Sequence, residues 1–453
     1  MKEFTSIILA AGMGTRMKSD MPKVLHKVCG KELVRWVIDA SKKAGAKKVV
    51  TVIGHKAEMV KDILGDACEY AIQAEQKGTG HALMQAASFI DDGYVMVLTG
   101  DAPLICYETM RAAVEYHENS KNSATVITAI LDDATGYGRI VRDTNQNVLK
   151  IVEQKDATDA QKKIREINSG MYVFDGKDLL NALDKLQPNN AQGEYYLTDT
   201  LEILRNEGKK IGGFAISDND EIRGINDRVQ LAEAEAIMQK RLINHHMKNG
   251  VTFILPQTTI IEDGVEIGND TIIYPNVYIK SGTQIGAGCV IGKGSEITAS
   301  KIGNRVTINN SVLLNCEIDD DTTVGPFAYI RPDTKVGKKA RIGDFVELKN
   351  SNIGDGTKVS HLTYVGDSDV GERVNFGCGT VTVNYDGKKK YRTTIGDDCF
   401  IGCNTNLVAP VKVEDGAYTA AGSTITDDVP KESLAIARAR QVIKTEWKDR
   451  RKR

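Results

Sequence analysis

The chain has 453 residues, which at roughly 150 per domain suggests about three domains, or two if one is large. Hydrophobic residues make up 41% and charged residues 26%, a globular composition that excludes a disordered or fibrous chain. Lys plus Arg number 59 and Asp plus Glu 61, a formal charge of −2, so nothing electrostatic points to nucleic acid or an anionic membrane surface as a partner.

In chain order, the apolar run Ser6–Ala11 comes first. It is too short for a secretory leader and runs straight into Gly12-Met13-Gly14-Thr15-Arg16, so a buried strand is expected. Val49–Ile53 and Val95–Leu98 read as further buried parallel strands. They alternate with helical stretches near 34–44, 56–64, 79–89 and 107–119, the βαβ rhythm of a doubly wound sheet. Asp227 to Asn249 is polar and free of Gly and Pro, and predicts one helix of about 34 Å, ending before Gly250. No uninterrupted apolar stretch approaches the roughly 18 residues of a membrane span.

The second half has a different period. Residues 261, 267, 273, 279, 285, 291 and 297 are all Ile, in strict steps of six. The series resumes at Ile302, Ile308 and Leu314, then Ile318, Val324, Ile330, Val336, Ile342 and Leu348. Ile353, Val359, Val365, Val370 and Phe376 follow, and a last register runs Ile395, Ile401, Leu407, Val413 and Ile425. Six residues fit neither a helix nor a hairpin, but do fit a short strand and turn presenting one inward aliphatic side chain per face. Three faces make a coil of about 18 residues, and residues 251 to 426 predict roughly nine or ten stacked coils. The period fails only at 382–394, where a polar insertion leaves the coil. The expected organisation is 1–226, a helical linker at 227–250, and 251–453 with its tail.

The eight cysteines (29, 68, 106, 289, 316, 378, 399 and 403) include no Cys-x-x-Cys pair and fit reduced thiols in the cytosol. In the first half, small residues at Leu9-Ala10-Ala11-Gly12 and Gln76-Lys77-Gly78-Thr79 let backbone N–H groups approach phosphate, with Arg16 and Lys23 adding charge. Taken alone, the first loop reads equally as a tight turn with surface cations. It is neither a Walker A motif nor a full Gly-x-Gly-x-x-Gly fingerprint. Asp101, just past a strand at the carboxyl edge of the sheet, offers a hard oxygen suited to Mg²⁺ beside phosphates. In the second half, one of seven histidines, His361, lies among the hexads; a single histidine excludes a multi-histidine zinc site. A neutral imidazole there is able to take a proton from an amine at pH 7.

The string Gly-x-Gly-Thr-Arg-Met … Pro-Lys-Val-Leu-His resembles the sugar-nucleotide pyrophosphorylases, and the hexads resemble the left-handed parallel β-helix of the hexapeptide-repeat acyltransferases. Together, over nearly the whole chain, they resemble the bifunctional N-acetylglucosamine-1-phosphate uridyltransferase/glucosamine-1-phosphate acetyltransferases. That resemblance implies an α/β fold: a Rossmann-like (GT-A-like) nucleotidyltransferase domain followed by a left-handed parallel β-helix. It implies that Leu9, Ala10, Ala11, Gly12, Lys23, Gln73, Gly78 and Thr79 hold the uridine nucleotide, and that Asp101 and Asn226 ligate Mg²⁺. Gly138, Glu153 and Asn168 would face the amino sugar, and Arg16 and Lys23 would offset charge on the transferring phosphoryl group.

On the β-helix the resemblance makes His361 the general base. Arg331, Lys349, Tyr364 and Asn375 would hold glucosamine-1-phosphate. Cys378, Asn384, Tyr385, Cys403, Ala421 and Arg438 would contact acetyl-CoA, with Cys378 and Cys403 standing where the family often has Ala and Ser. The expected activities are acetyl transfer from acetyl-CoA, then uridylyl transfer from UTP with release of pyrophosphate, in a cytoplasmic homotrimer supplying cell-wall precursors. A single-activity pyrophosphorylase with a purely structural β-helix is the rival. The basic tail, Gln441 to Arg453, reads as solvated or as contacting coenzyme A phosphates.

Overall fold

A computed structural model describes residues 3–144, 146–188 and 193–447. The end of the basic tail, from Lys448 onward, lies outside the described residues. The chain divides into two compact units, 1–238 and 239–453, and the helix Arg228–Lys248 contains the division. Among the described residues no helix is long and apolar enough to cross a membrane.

Unit one is built on a mixed sheet with strand order Ile211–Ala215, Ala124–Ile130, Glu166–Asp175, Tyr94–Thr99, Phe4–Leu9, Lys48–Ile53, Glu69–Ile72. Phe4–Leu9 is central and pairs in parallel with Lys48–Ile53 and Tyr94–Thr99. Its residues Phe4, Ile7 and Ile8 are fully buried, as expected for a strand covered on both faces. The sheet is not wholly parallel: Glu166–Asp175 runs antiparallel to both its neighbours, with a bulge between Asn168 and Tyr172. Alternation of short strands and helices revealed the parallel half; the direction of Glu166–Asp175 is set by pairing, which leaves no mark on that alternation.

Unit two is a three-sided coil. Its strands are two to four residues long and, among the described residues, form three parallel sheets of 11, 10 and 9 strands, each strand pairing with the one three positions later in the chain except at the end, where Tyr418–Thr419 pairs with Leu434–Ala435, two positions later. One long core of stacked, mostly aliphatic side chains runs up the middle, from Val251 to Val429. Buried hydroxyls close the corners: Thr271 Oγ1 donates to Gly286 O (2.9 Å) and Thr322 Oγ1 to Gly337 O (2.7 Å). One expected core position is displaced. Leu313, not Leu314, points inward, in register with Ile297 and Ile330. The turn before it is one residue short, so strict counting by six overshoots. Ile267, near the first coil, is only half-buried.

Candidate active sites

The first site gathers at the carboxyl ends of the parallel strands. A cavity of about 370 Å³ is lined by Leu9, Ala10, Ala11, Gly12, Lys23, Gln73, Gly78, Thr79 and Asp101, together with Gln76, Thr99 and Tyr196. The strand Phe4–Leu9 delivers the glycine loop here because it is central, and crossover connections leave strand ends open on that edge. Gly14 has φ +62°, and a Cβ there would come 2.5 Å from Lys23 Cβ, so only glycine lets the loop close over Lys23. Gln73 is buried, and its Nε2 donates to Gly78 O (3.2 Å), tying the two loops together.

At the floor of the cavity Lys23 Nζ donates to Asp101 Oδ2 and, at 3.1 Å, to Asn226 Oδ1. Arg16 donates to the same Asn226 oxygen at 2.9 Å. The turn bearing Asn226 is pinned in place by Ile225 N donating to Asp101 O (2.9 Å). Two hard oxygens, one of them anionic, therefore converge on one cation. Among the described residues no group of three or more His, Cys, Asp or Glu side chains is placed to hold a metal. Mg²⁺ characteristically takes only one or two protein oxygens and completes its shell with water and phosphate, so the donor set fits it.

Gly138, Glu153 and Asn168 do not line that cavity but lie together beside it. Asn168 N donates to Gly138 O (2.9 Å), Asn168 Nδ2 donates to Tyr172 Oη (2.9 Å), and a Cβ on Gly138 would reach Glu153 Oε1 at 3.2 Å. The bulge brings Gly170 to Thr99, a wall of the cavity. Burial, helped by Asp156, pushes the Glu153 carboxyl above its usual range.

The second site follows one corner of the coil. His361 and Asp344 are Cα partners on adjacent coils, and His361 Nδ1 lies 2.7 Å from Asp344 Oδ1. That bond holds the Asp344 carboxyl below its usual range. An ionised acceptor keeps the proton on Nδ1 and leaves the Nε2 lone pair outward. The approach requires Gly343, since a Cβ there would lie 2.0 Å from Ser360 O. Above His361 the register places Cys378, then Cys403, then Ala421 at the same turn position. Arg438 donates to Ala421 O at 3.0 Å.

On the next face Lys349 Nζ donates to Asp367 Oδ2 (3.2 Å), which also accepts from Asn384 Nδ2 (2.5 Å), while Oδ1 accepts from Asn350 Nδ2 (2.6 Å). Burial raises the Asp367 carboxyl, but these three donors outweigh it and leave it below the usual range. Asn384 also donates to Tyr364 Oη (3.3 Å), so the base of the insertion is joined to Tyr364. The insertion folds back as a hairpin, Tyr385 bridging Lys390. Lys390 is held below the usual lysine range by Lys349, and Arg331 also acts on it, so three cations gather here. Arg331 is itself paired with Glu347 at 2.8 Å. Asn375 lies on the neighbouring strand, half-buried, in register with Lys358.

Sequence reasoning missed Asp344, Asp367, Lys390, Thr99 and Tyr196 as site residues, and named Gln76 only as part of its loop. The first two were within reach: each sits at the turn position of its coil, and Asp344 precedes His361 by one coil. Tyr196 comes from a segment far from the loops it faces and carries no local signal.

The comparisons agree with both halves. The nucleotidyl transferase family matches residues 5–221, and the bacterial transferase hexapeptide repeat matches 264–299 and 392–427; the three-faced coil is the left-handed β-helix of that repeat. Among curated relatives, the Bifunctional protein GlmU of Acetivibrio thermocellus is 57% identical over 98% of this chain and 96% of its own length. That of Clostridioides difficile is 54% identical over 99% and 98%. That of Caldanaerobacter subterraneus subsp. tengcongensis is 53% identical over 100% and 99%.

Proposed function

The chain belongs to the bifunctional GlmU family and is a uridylyltransferase and acetyltransferase of UDP-N-acetylglucosamine synthesis; we propose that the two clusters above are its two active sites. In this reading residues 1–226 carry uridylyl transfer and 251–453 acetyl transfer, joined by 227–250. The observation that supports it is closure of each cluster within one unit. Lys23, Asp101, Asn226 and Arg16 meet in the first, and Asp344 with His361, beside Lys349, Asp367 and Asn384, in the second.

On the β-helix, His361 Nε2 takes the proton from the amine of glucosamine-1-phosphate as nitrogen attacks the acetyl-CoA thioester carbon. The C–S bond then breaks and free CoA leaves. Asp344 holds the ring and stabilises the imidazolium that forms. Arg331, Lys349 and Lys390 offset the sugar phosphate, Tyr364 and Asn375 orient the sugar, and the turns at Cys378, Asn384, Tyr385, Cys403, Ala421 and Arg438 hold the coenzyme.

In the first unit the glycine loop, Gln73, Gly78 and Thr79 hold UTP, and Gly138, Glu153 and Asn168 hold the acetylated sugar. A phosphate oxygen of the sugar phosphate attacks the α-phosphorus in line and pyrophosphate departs. Arg16 and Lys23 offset the leaving charge. Mg²⁺, held by Asp101 and Asn226, would neutralise phosphate charge when bound. No protein nucleophile is needed.

The family and the exposed apolar ladder of Phe327, Phe345 and Leu362, the first two stacked at 5.3 Å beside the His361 corner, support a homotrimer that covers it. Light scattering should give three chains, and Phe345→Asp should lower that mass. A cytoplasmic location and supply of cell-wall precursors complete the reading. The decisive experiment measures, on one preparation, CoA release from acetyl-CoA with glucosamine-1-phosphate and pyrophosphate release from UTP with the acetylated sugar phosphate supplied directly. His361→Ala should lose only the first and Asp101→Ala only the second; a variant losing both or neither would overturn the assignment.

A further inference from the structure

Asn375 and Phe376 pair with Phe400 and Ile401, so Cys378 and Cys403, each two residues further on, sit one above the other on adjacent coils. Asn404 N donates to Cys378 O at 2.8 Å, which carries the alignment into the turn itself. Both thiols are free; Cys403 is exposed and Cys378 half-buried. Among the described residues neither sulfur has a hydrogen-bond partner. By contrast the sulfurs of Cys289 and Cys399 each donate to a carbonyl at 3.1 Å, Cys316 donates to Ser300, and Cys68 is bonded to Thr51. The same register puts His361 one coil below the pair.

Spacing decides what such a pair can do. Strands in a parallel ladder lie about 4.8 Å apart. A disulfide needs Cβ atoms about 3.8 Å apart, which backbone bonds on both coils resist. A tetrahedral ion with metal–sulfur bonds of about 2.3 Å holds its sulfurs about 3.8 Å apart, while leaving the Cβ atoms at their ladder spacing. The two side chains leave equivalent turn positions on adjacent coils, so such an ion asks only the sulfurs, not the backbones, to move together. We propose that Cys378 and Cys403 form a chelating dithiol for a thiophilic centre, Zn²⁺ or the pyramidal arsenic of a trivalent arsenical, and that its occupation blocks acetyl transfer while sparing uridylyl transfer. The blocking half rests on the reading that this corner receives acetyl-CoA. Binding is not a redox step. Each thiol gives up its proton as its sulfur joins the ion; with an arsenical oxide the two protons leave with the oxide oxygen as water.

The test uses the full chain and phenylarsine oxide, whose bridging of two thiols separates a dithiol from single cysteines. Titratable thiols, intact mass and both activities are followed together, with Zn²⁺ binding by calorimetry in parallel. One equivalent should remove two thiols, add one phenylarsenic group and abolish acetyl transfer, with uridylyl transfer intact and acetyl-CoA slowing the reaction. Cys378→Ala and Cys403→Ser should each lose the uptake, and their acetyl transfer, whatever its starting level, should no longer respond. No uptake by wild type, or equal uptake by the variants, overturns the dithiol. Uptake at the pair with acetyl transfer undiminished overturns the coenzyme reading of this corner and the blocking with it.

Discussion

Asp367→Asn is a nearly isosteric change with a large expected effect. Asp367 is 5% exposed and accepts from three donors: Asn350 on one oxygen, Lys349 and Asn384 on the other. An amide supplies one oxygen and one NH₂. Turned so that its oxygen meets Lys349 and Asn384, its NH₂ faces the NH₂ of Asn350, and both are donors. Hydrogen bonds to a charged group contribute about 1.5–3 kcal/mol against about 0.5–1.5 for neutral pairs, and an orphaned buried donor costs about 1–3. The Lys349 bond keeps one charged partner; the Asn384 bond becomes neutral, a loss of about 1 kcal/mol, and the donors left facing each other cost about 1–3, together about 3 kcal/mol. The backbone adds nothing, since φ of Asp367 is +50°, where Asn is as well tolerated as Asp. If the strain falls on Lys349 and the insertion, kcat/KM for acetyl transfer drops about 100-fold. Uridylyl transfer in the same preparation is the control. Acetyl transfer within threefold of wild type, or an equal loss of both activities, would refute the reasoning.

Three further outcomes are expected. Gly14→Ala places a Cβ 2.5 Å from Lys23 Cβ in a left-handed turn, costing about 1–2 kcal/mol before the clash; KM for UTP should rise about tenfold or more, with CoA release unaffected. Asp344→Asn should slow acetyl transfer by one to two powers of ten through kcat rather than KM, because the ring loses its orienting charge. Glu153 has a raised carboxyl pKa, so it takes up a proton sooner as pH falls from 7. KM for the acetylated sugar should therefore climb toward pH 5, and Glu153→Gln should flatten that dependence.

Much of this protein was legible without coordinates. The step of six is a property of side-chain direction along a short strand, so the core of the coil could be read from Ile261 to Ile425, with Leu314 read for Leu313 and Ile267 only half-buried. The glycine loop and Asp101 follow strand ends, and a strand end announces itself by the loss of apolar residues. Lys23, Gly78 and Thr79, which the local motifs singled out, line one cavity with Gln73, which only the family resemblance named.

What only the tertiary structure decided is which residues stand beside one another. Asp344 beside His361, Asp367 under three donors, and Cys378 beneath Cys403 are consequences of coil register, and register depends on the lengths of the turns between. Each coil that is a residue short, and the one insertion that lengthens a coil, moves every later partner. The antiparallel strand Glu166–Asp175, which carries Asn168 to Gly138, is likewise set by pairing between distant segments. Side-chain periodicity is local and survives in one dimension; pairing across a ladder is a relation between segments, fixed only when the chain closes on itself.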